Sequence, residues 1–138
     1  MIKATDSLLL RSVREHEGFS PTPYKCPAGY LTIGYGLNLE AGISEAEAEA
    51  VLRVRLARII ETLYGRYAWF PLLSPARQRA IVEMAYQLGI EGLAKFQRML
   101  RALREARFDA AAAEMLDSAW ARQTPKRAEH CARLMREG

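Results

Sequence analysis

Glu17 is followed after eight residues by Cys26, and after five more by Thr32. A carboxyl, a thiol and a hydroxyl can divide a hydrolysis between them: one protonates the leaving group, the others hold and activate a water. Glu17 falls at the C-terminal end of a helix, one residue before Gly18. The negative end of the helix dipole opposes ionisation there, and a carboxyl that keeps its proton near neutral pH suits general-acid work. Glu15, two positions earlier, points elsewhere on the helix and is the natural control. Each residue has a plainer reading: Glu17 as a surface acid, Cys26 as a small buried apolar residue, Thr32 as a good strand former. Their common spacing around one turn is what sets them apart.

The elements that position them can be read from caps and breakers. Thr5-Asp6 is an N-cap for a helix through Leu9, Val13 and Glu17, which Gly18 stops. Between 19 and 36, Pro21, Pro23, Pro27 and the glycines exclude a helix, while Tyr24, Tyr30, Leu31, Thr32, Ile33 and Tyr35 favour strands. A small hairpin turning at Pro27-Ala28-Gly29 is expected, with Cys26 and Thr32 on either side and within reach of one water. Ser44-Glu45-Ala46-Glu47 is a capping box opening a helix to about Leu63. Ser74-Pro75 opens another that ends at Gly89; further helices are expected at about 92–106, after Asp109, and from Thr124-Pro125. The pattern predicts an α+β, predominantly α, chain: an N-terminal helix and small β lobe over 1–43, a connecting helix over 44–67 and a helical lobe over 74–138. A cleft between two unequal lobes is the expected place for a ligand.

Composition narrows the partners. Half the residues are apolar and 26% charged, which supports a packed core and excludes wholesale disorder. No apolar run approaches the ~20 residues of a membrane span, and Leu8-Leu9-Leu10 before Arg11 is too short for a secretory signal, so a cytosolic protein is expected. The net charge of +4 suits a polyanionic partner such as nucleic acid, anionic lipid or an acidic wall polymer, and equally suits none. The basic face of Arg98, Arg101, Arg104 and Arg107 has the same two readings. Cys26 and Cys131 form no CxxC, and His16 and His130 are scattered, so no metal and no cofactor are expected; a disulfide is left open.

Longer blocks around these residues carry a family resemblance. Glu17-Gly18-Phe19, Tyr24-Lys25 and Gly29-Tyr30-Leu31-Thr32-Ile33-Gly34-Tyr35-Gly36 resemble the active-site region of T-even-phage-type lysozymes, glycoside hydrolase family 24. Met84-Ala85-Tyr86-Gln87-Leu88-Gly89, with Gly92 and Phe96, is similar to that family's core helix and turn. Trp120-Ala121-Arg122-Gln123-Thr124-Pro125-Lys126-Arg127-Ala128 resembles its W-x-x-Q-T-P-x-R-A segment. The region 38–74 matches only in character.

The resemblance implies a two-lobed lysozyme fold and inverting hydrolysis of the β-1,4 bond between N-acetylmuramic acid and N-acetylglucosamine in peptidoglycan. It makes Glu17 the general acid, puts Cys26 and Thr32 on the attacking water, and pairs Arg127 with Glu17. Cys26 stands where the family also uses Asp, which moves weight onto Thr32, since an ordinary thiol with a pKa of ~8.5 is mostly protonated at neutral pH. Leu37 replaces a frequent family histidine and removes an ion pair. Tyr86 and Gln87 would line the substrate cleft, with Asn38 a lesser candidate, although Tyr86 could equally belong to the core; Trp69 and Trp120 are expected in the core. The resemblance further implies a monomeric endolysin without nucleic acid, held in the host bacterial cytoplasm and released to the wall by a membrane-permeabilising partner such as a holin. Two rivals remain: a hydrolase using Cys26 as nucleophile with His16 or His130, and a non-catalytic wall- or nucleic-acid-binding module.

Overall fold

A computed structural model describes all 138 residues, Met1–Gly138. The elements run α1 (Ser7–Glu17), β1 (Ser20–Lys25), β2 (Leu31–Gly34), β3 (Leu37–Asn38), α2 (Glu45–Arg66), α3 (Pro75–Ala94), α4 (Gln97–Arg104), α5 (Phe108–Leu116), α6 (Ala119–Gln123) and α7 (Pro125–Glu137). This is the expected α+β class, predominantly helical. The chain divides into two units, Met1–Glu49 and Ala50–Gly138.

In the first unit, Asp6 caps α1 by accepting from the Leu9 N–H at 2.8 Å. Gly18, at φ 72°, ends the helix and returns its own N–H to the Arg14 carbonyl. The sheet has the order β1-β2-β3 and is antiparallel throughout. Its first turn lies where the sequence places it: Cys26 N–H donates to Tyr30 O, and Gly29 N–H to Cys26 O at 2.8 Å. β1 is an edge strand with an irregular register between Ser20 and Tyr24, around Pro21 and Pro23, which have no N–H for a ladder. The expected hairpin gains a third strand. Gly34 and Gly36, at φ 66° and 76°, reverse the chain so that Leu37 and Asn38 pair with Ile33 and Thr32. Ser44 and Glu47 form the expected reciprocal capping box, each backbone N–H donating to the other's side chain. Those bonds, from the Ser44 backbone above all, hold the Glu47 carboxyl below the usual range.

The second unit carries the apolar core. α7 packs on α3, α5 and α6, and α4 on α5. Phe70, Leu63, Ile81, Met84, Leu93, Met99, Met115, Cys131 and Met135 are fully buried. Four methionines let unbranched side chains fill the gaps between short, irregularly crossed helices. Trp69 and Trp120 belong to this core, as expected. The α2 helix runs to Arg66, slightly beyond the predicted Leu63. The helix predicted at 92–106 is divided: α3 breaks its helical dihedrals at Gly89 (φ 78°), resumes to Ala94, and α4 begins only at Gln97. Apolar periodicity continues across both interruptions, which is why it hides them.

The end of α7 is closed from a distance. Helix C-terminal carbonyls lack intrahelical partners. Arg77, on α3, donates through Nε to Met135 O at 2.8 Å and through Nη2 to Arg136 O at 3.2 Å. The same guanidinium lies 3.7 Å from the centre of the Phe108 ring. Arg77→Ala is expected to lower unfolding free energy by about 1–3 kcal/mol, whereas exposed Arg79→Ala changes it by less than ~0.5 kcal/mol. Urea denaturation of the two variants checks this, and equal midpoints would remove Arg77 from the account.

Candidate active site

Thr32 lies on the central strand, its backbone paired with Tyr24 on one side and Asn38 on the other. Directly opposed residues share a face, so Tyr24, Thr32 and Asn38 form one row across the sheet. Thr32 is only 4% exposed. Its hydroxyl donates to Tyr30 O at 2.8 Å, so the oxygen faces other partners as an acceptor. Cys26, two residues beyond Tyr24, returns to the same face at the start of the turn.

The turn lowers the pKa of the Cys26 thiol. The Tyr30 backbone N–H pulls its pKa down most; partial burial pushes back, and the Ala28 and Gly29 N–H groups and the Thr32 hydroxyl also lower it. Backbone amides converging on one turn make a concavity that favours negative charge. No histidine is among the groups acting on the sulfur. The His16 ring is 2.7 Å from Ser12 O on its own helix, and His130 faces Glu83 at 4.0 Å in the second unit. The thiol–imidazole pair that a cysteine nucleophile needs is not formed.

Glu17 reaches the turn between β2 and β3. A Cβ on Gly36 would collide with Oε2 of Glu17 and lie 2.9 Å from its Cδ, so the carboxyl occupies the space a side chain would take. Phe19 and Tyr35, with ring centres 5.4 Å apart, pin this helix end to the turn, and the Arg14 guanidinium sits 5.8 Å from the Tyr35 ring. Glu17 also lines a hollow of about 300 Å³ with Gly18, Phe19, Ser20 and Tyr24. Glu15 lines a different hollow, with Leu10, Arg11 and Arg14, as its phase on the helix requires. Asn38 has less freedom than its candidate role assumed. Its Oδ1 accepts from Glu40 N–H at 2.9 Å and Ala41 N–H at 3.3 Å, capping the turn after β3 and leaving only its amino group.

The remaining candidates belong to the second unit. Tyr86 is 42% exposed, so it is not a core residue. Gln87 accepts from Trp120 Nε1 at 2.9 Å, which fixes the amide and turns its NH₂ outward from that bond. Arg127 donates through Nε to Glu83 at 3.1 Å. Glu83 also receives Cys131 Sγ at 3.8 Å. Burial and the neighbouring Glu83 charge push the Cys131 thiol up to about 12, so it stays protonated. Glu83 went unnoticed in the sequence because its partners are more than forty residues away. Gly36 and Tyr35 were visible only as parts of a motif. Both cysteines are free thiols. No group of three or more His, Cys, Asp or Glu side chains is placed to hold a metal ion.

In the first unit a carboxyl at a helix end accompanies a sulfur and a hydroxyl on a three-stranded sheet, group types that a glycosidase uses, and the second unit is helical. Residues 14–135 match the family model described as Phage lysozyme, and the chain belongs to that family. It is accordingly a lysozyme, a glycoside hydrolase acting on peptidoglycan. Two Dictyostelium discoideum proteins are similar to it. "Probable T4-type lysozyme 1" is 27% identical, covering 88% of this chain and 89% of its own length. "Probable T4-type lysozyme 2" is 26% identical, covering 78% of this chain and 65% of its own length.

Two expectations follow from the local geometry. Gly36→Ala displaces the Glu17 carboxyl and strains a positive-φ position, so wall lysis falls by at least about tenfold. Gly34→Ala meets only open space and bears the backbone strain alone, of about 1–2 kcal/mol, with a smaller loss of activity. Turbidity clearance alongside thermal unfolding separates the two effects. For the thiols, iodoacetamide should label Cys26 and spare Cys131, with a pH midpoint below that of free cysteine. Labelling of Cys26 that follows the free-thiol curve would contradict the amide cradle.

Proposed function

We propose that Glu17 is the general acid of an inverting muramidase and that Cys26 and Thr32 hold the attacking water. The observation that carries this reading is the pairing of Cys26 and Thr32 on one face of the sheet, with a hydroxyl whose own proton is committed to Tyr30. A water there finds acceptor lone pairs on Thr32 and a sulfur shifted toward thiolate. Glu17 protonates the glycosidic oxygen while this water attacks the anomeric carbon from the opposite face. Inverting geometry needs the two sides about 6.5–9.5 Å apart to admit the water. The amide-held sulfur supports water positioning over nucleophilic attack by Cys26.

The supporting roles follow the family resemblance. Arg127 orients Glu17, Tyr86 offers an aromatic face to a sugar ring, Gln87 offers its NH₂ to an N-acetyl carbonyl, and Asn38 contributes through its amino group. The protein acts as a monomer on the wall of its host, released from the cytoplasm by a membrane-permeabilising partner of the holin kind.

Glu17→Gln keeps the shape and loses the proton, so cleavage should fall by the ~10²–10⁴-fold that general acids contribute, with Glu15→Gln nearly neutral. Cys26→Asp should retain or raise activity, because a carboxylate in the same cradle accepts the water's proton; Cys26→Ala should lose most of it. The products of purified walls, read by mass spectrometry and by the anomeric configuration of fresh reducing ends, decide the matter. Retained configuration, or a folded but inactive Cys26→Asp enzyme, would overturn the mechanism.

A further inference from the structure

The second unit contains a groove of which only the Tyr86 wall has been given a role above. It has a volume of about 500 Å³, within the range of small-ligand sites, and is lined by Arg55, Arg58, Ile59, Thr62, Tyr86 and Ile90. Arg55 and Arg58 stand one helical turn apart on α2, both exposed, and neither guanidinium is paired with a carboxylate. Elsewhere on this unit Arg66 pairs with Glu91, and Arg127 with Glu83. Thr62, one turn further on, donates its hydroxyl hydrogen to Arg58 O at 2.8 Å, so its oxygen can only accept. Ile59 and Ile90 supply apolar surface, and the half-exposed Tyr86 ring adds a flat wall.

A ligand that uses all of this has acid groups for the arginines, an N–H for Thr62 and small apolar groups for the isoleucines. The neutral sugar rings of the glycan offer no acid. The peptide stem carried by N-acetylmuramic acid offers all three: free carboxylates, amide N–H groups and alanine methyls. A phosphate-rich polymer would satisfy the guanidinia and leave Ile59, Ile90 and Tyr86 without a role. We propose that the groove between α2 and α3 binds the stem peptide of the substrate strand, with Arg55 and Arg58 on its carboxylates. Guanidinium forks bind carboxylates through paired hydrogen bonds, which gives the contact direction as well as strength. The proposal rests on the muramidase reading and extends it to a part of the substrate remote from the scissile bond.

The probe is the free stem tetrapeptide L-Ala-γ-D-Glu-L-Lys-D-Ala, titrated to millimolar concentration into the full-length protein and followed by amide chemical shifts. Saturable shifts are expected at α2 and around Tyr86. The same peptide with every carboxylate converted to carboxamide should bind at least about tenfold more weakly, as should the wild-type peptide to the Arg55→Gln/Arg58→Gln protein. Arg55→Lys/Arg58→Lys should fall between, keeping charge without the fork. Absence of saturable binding, equal binding of the carboxamide peptide, or full affinity in the double Gln variant overturns the proposal. So does tighter binding of poly(glycerol phosphate) than of the peptide at the same residues. If the double Gln variant fails to fold, the carboxamide comparison on the unaltered protein still decides. Loss of peptide binding alone, with Glu17→Gln still abolishing glycosidic cleavage, defeats only this inference; cleavage that survives Glu17→Gln defeats the muramidase reading whatever the peptide does.

Discussion

The turn Gly34-Tyr35-Gly36 is the constraint on which the first unit depends. Two residues at positive φ, one on each side of Tyr35, send the chain back along β2 and create β3. An L-residue in the left-handed region costs about 1–2 kcal/mol, and this turn asks for it twice within three residues. The return of the chain sets Asn38 opposite Thr32 and so completes the row that presents the hydroxyl. The missing Cβ at Gly36 is also the space that receives the Glu17 carboxyl. One backbone feature therefore places both the Glu17 carboxyl and the strand that pairs with Thr32. Tyr35 is held between the two glycines by Phe19 and Arg14, which ties the turn to the helix end carrying Glu17.

The two units are stabilised by different means. The second buries a continuous set of apolar side chains, many fully, and its helices are fixed by what they pack against. In the first, the buried side chain is a threonine, and order comes from caps, turns and ladders: Asp6 on α1, Asn38 on the turn after β3, and Glu40 Oε2 accepting from the Leu31 N–H at 3.1 Å. A site built on such a frame is sensitive to dihedral angles more than to side-chain volume. Cavity-forming changes in the methionine-rich core cost stability in proportion to the space they leave. A side chain at Gly36 displaces the Glu17 carboxyl.

Local chemistry was the legible part of the sequence. Asp6, Gly18, the Ser44–Glu47 box and the turn at 27–29 all do what their residue types dictate, because each acts on backbone groups within three or four residues. The spacing of Glu17, Cys26 and Thr32 was legible as a motif, and it lies inside the residues 14–135 that match the family model. The third strand was not, since two glycines around a tyrosine signal a break in helix without saying where the chain goes next. The interruption at Gly89 was anticipated as a helix end, yet the chain re-enters a helix at once and breaks again before Gln97. Long-range partners left no trace at all. Arg77 closes a helix end fifty-eight residues away, and Glu83 gathers Arg127 and Cys131 from the last helix. No periodicity encodes such pairs. Tyr86 was ambiguous for a related reason: it shares a helix with Ile81 and Met84, and only the packing of that helix decides which side chains remain outside.

The two cysteines show how far environment, and not residue type, sets chemistry. Cys131 is fully buried beside a carboxylate, and both influences oppose a negative sulfur. Cys26 lies at a turn whose backbone, Tyr30 N–H above all, holds its pKa below that of an ordinary thiol. A lowered pKa alone would fit a nucleophile as well as a water-holding group. The distinction lies in the neighbours. A nucleophilic thiol needs an imidazole to take its proton and later protonate the leaving group, and here the donors are fixed backbone N–H groups that can do neither. Amide donors stabilise charge without exchanging it, and Thr32 adds an acceptor whose hydrogen is already directed to Tyr30. These groups suit the water-holding role proposed for Cys26 and Thr32. In the proposed mechanism proton delivery comes from elsewhere, and that role is assigned to Glu17, whose carboxyl is set against Gly36 at the end of α1.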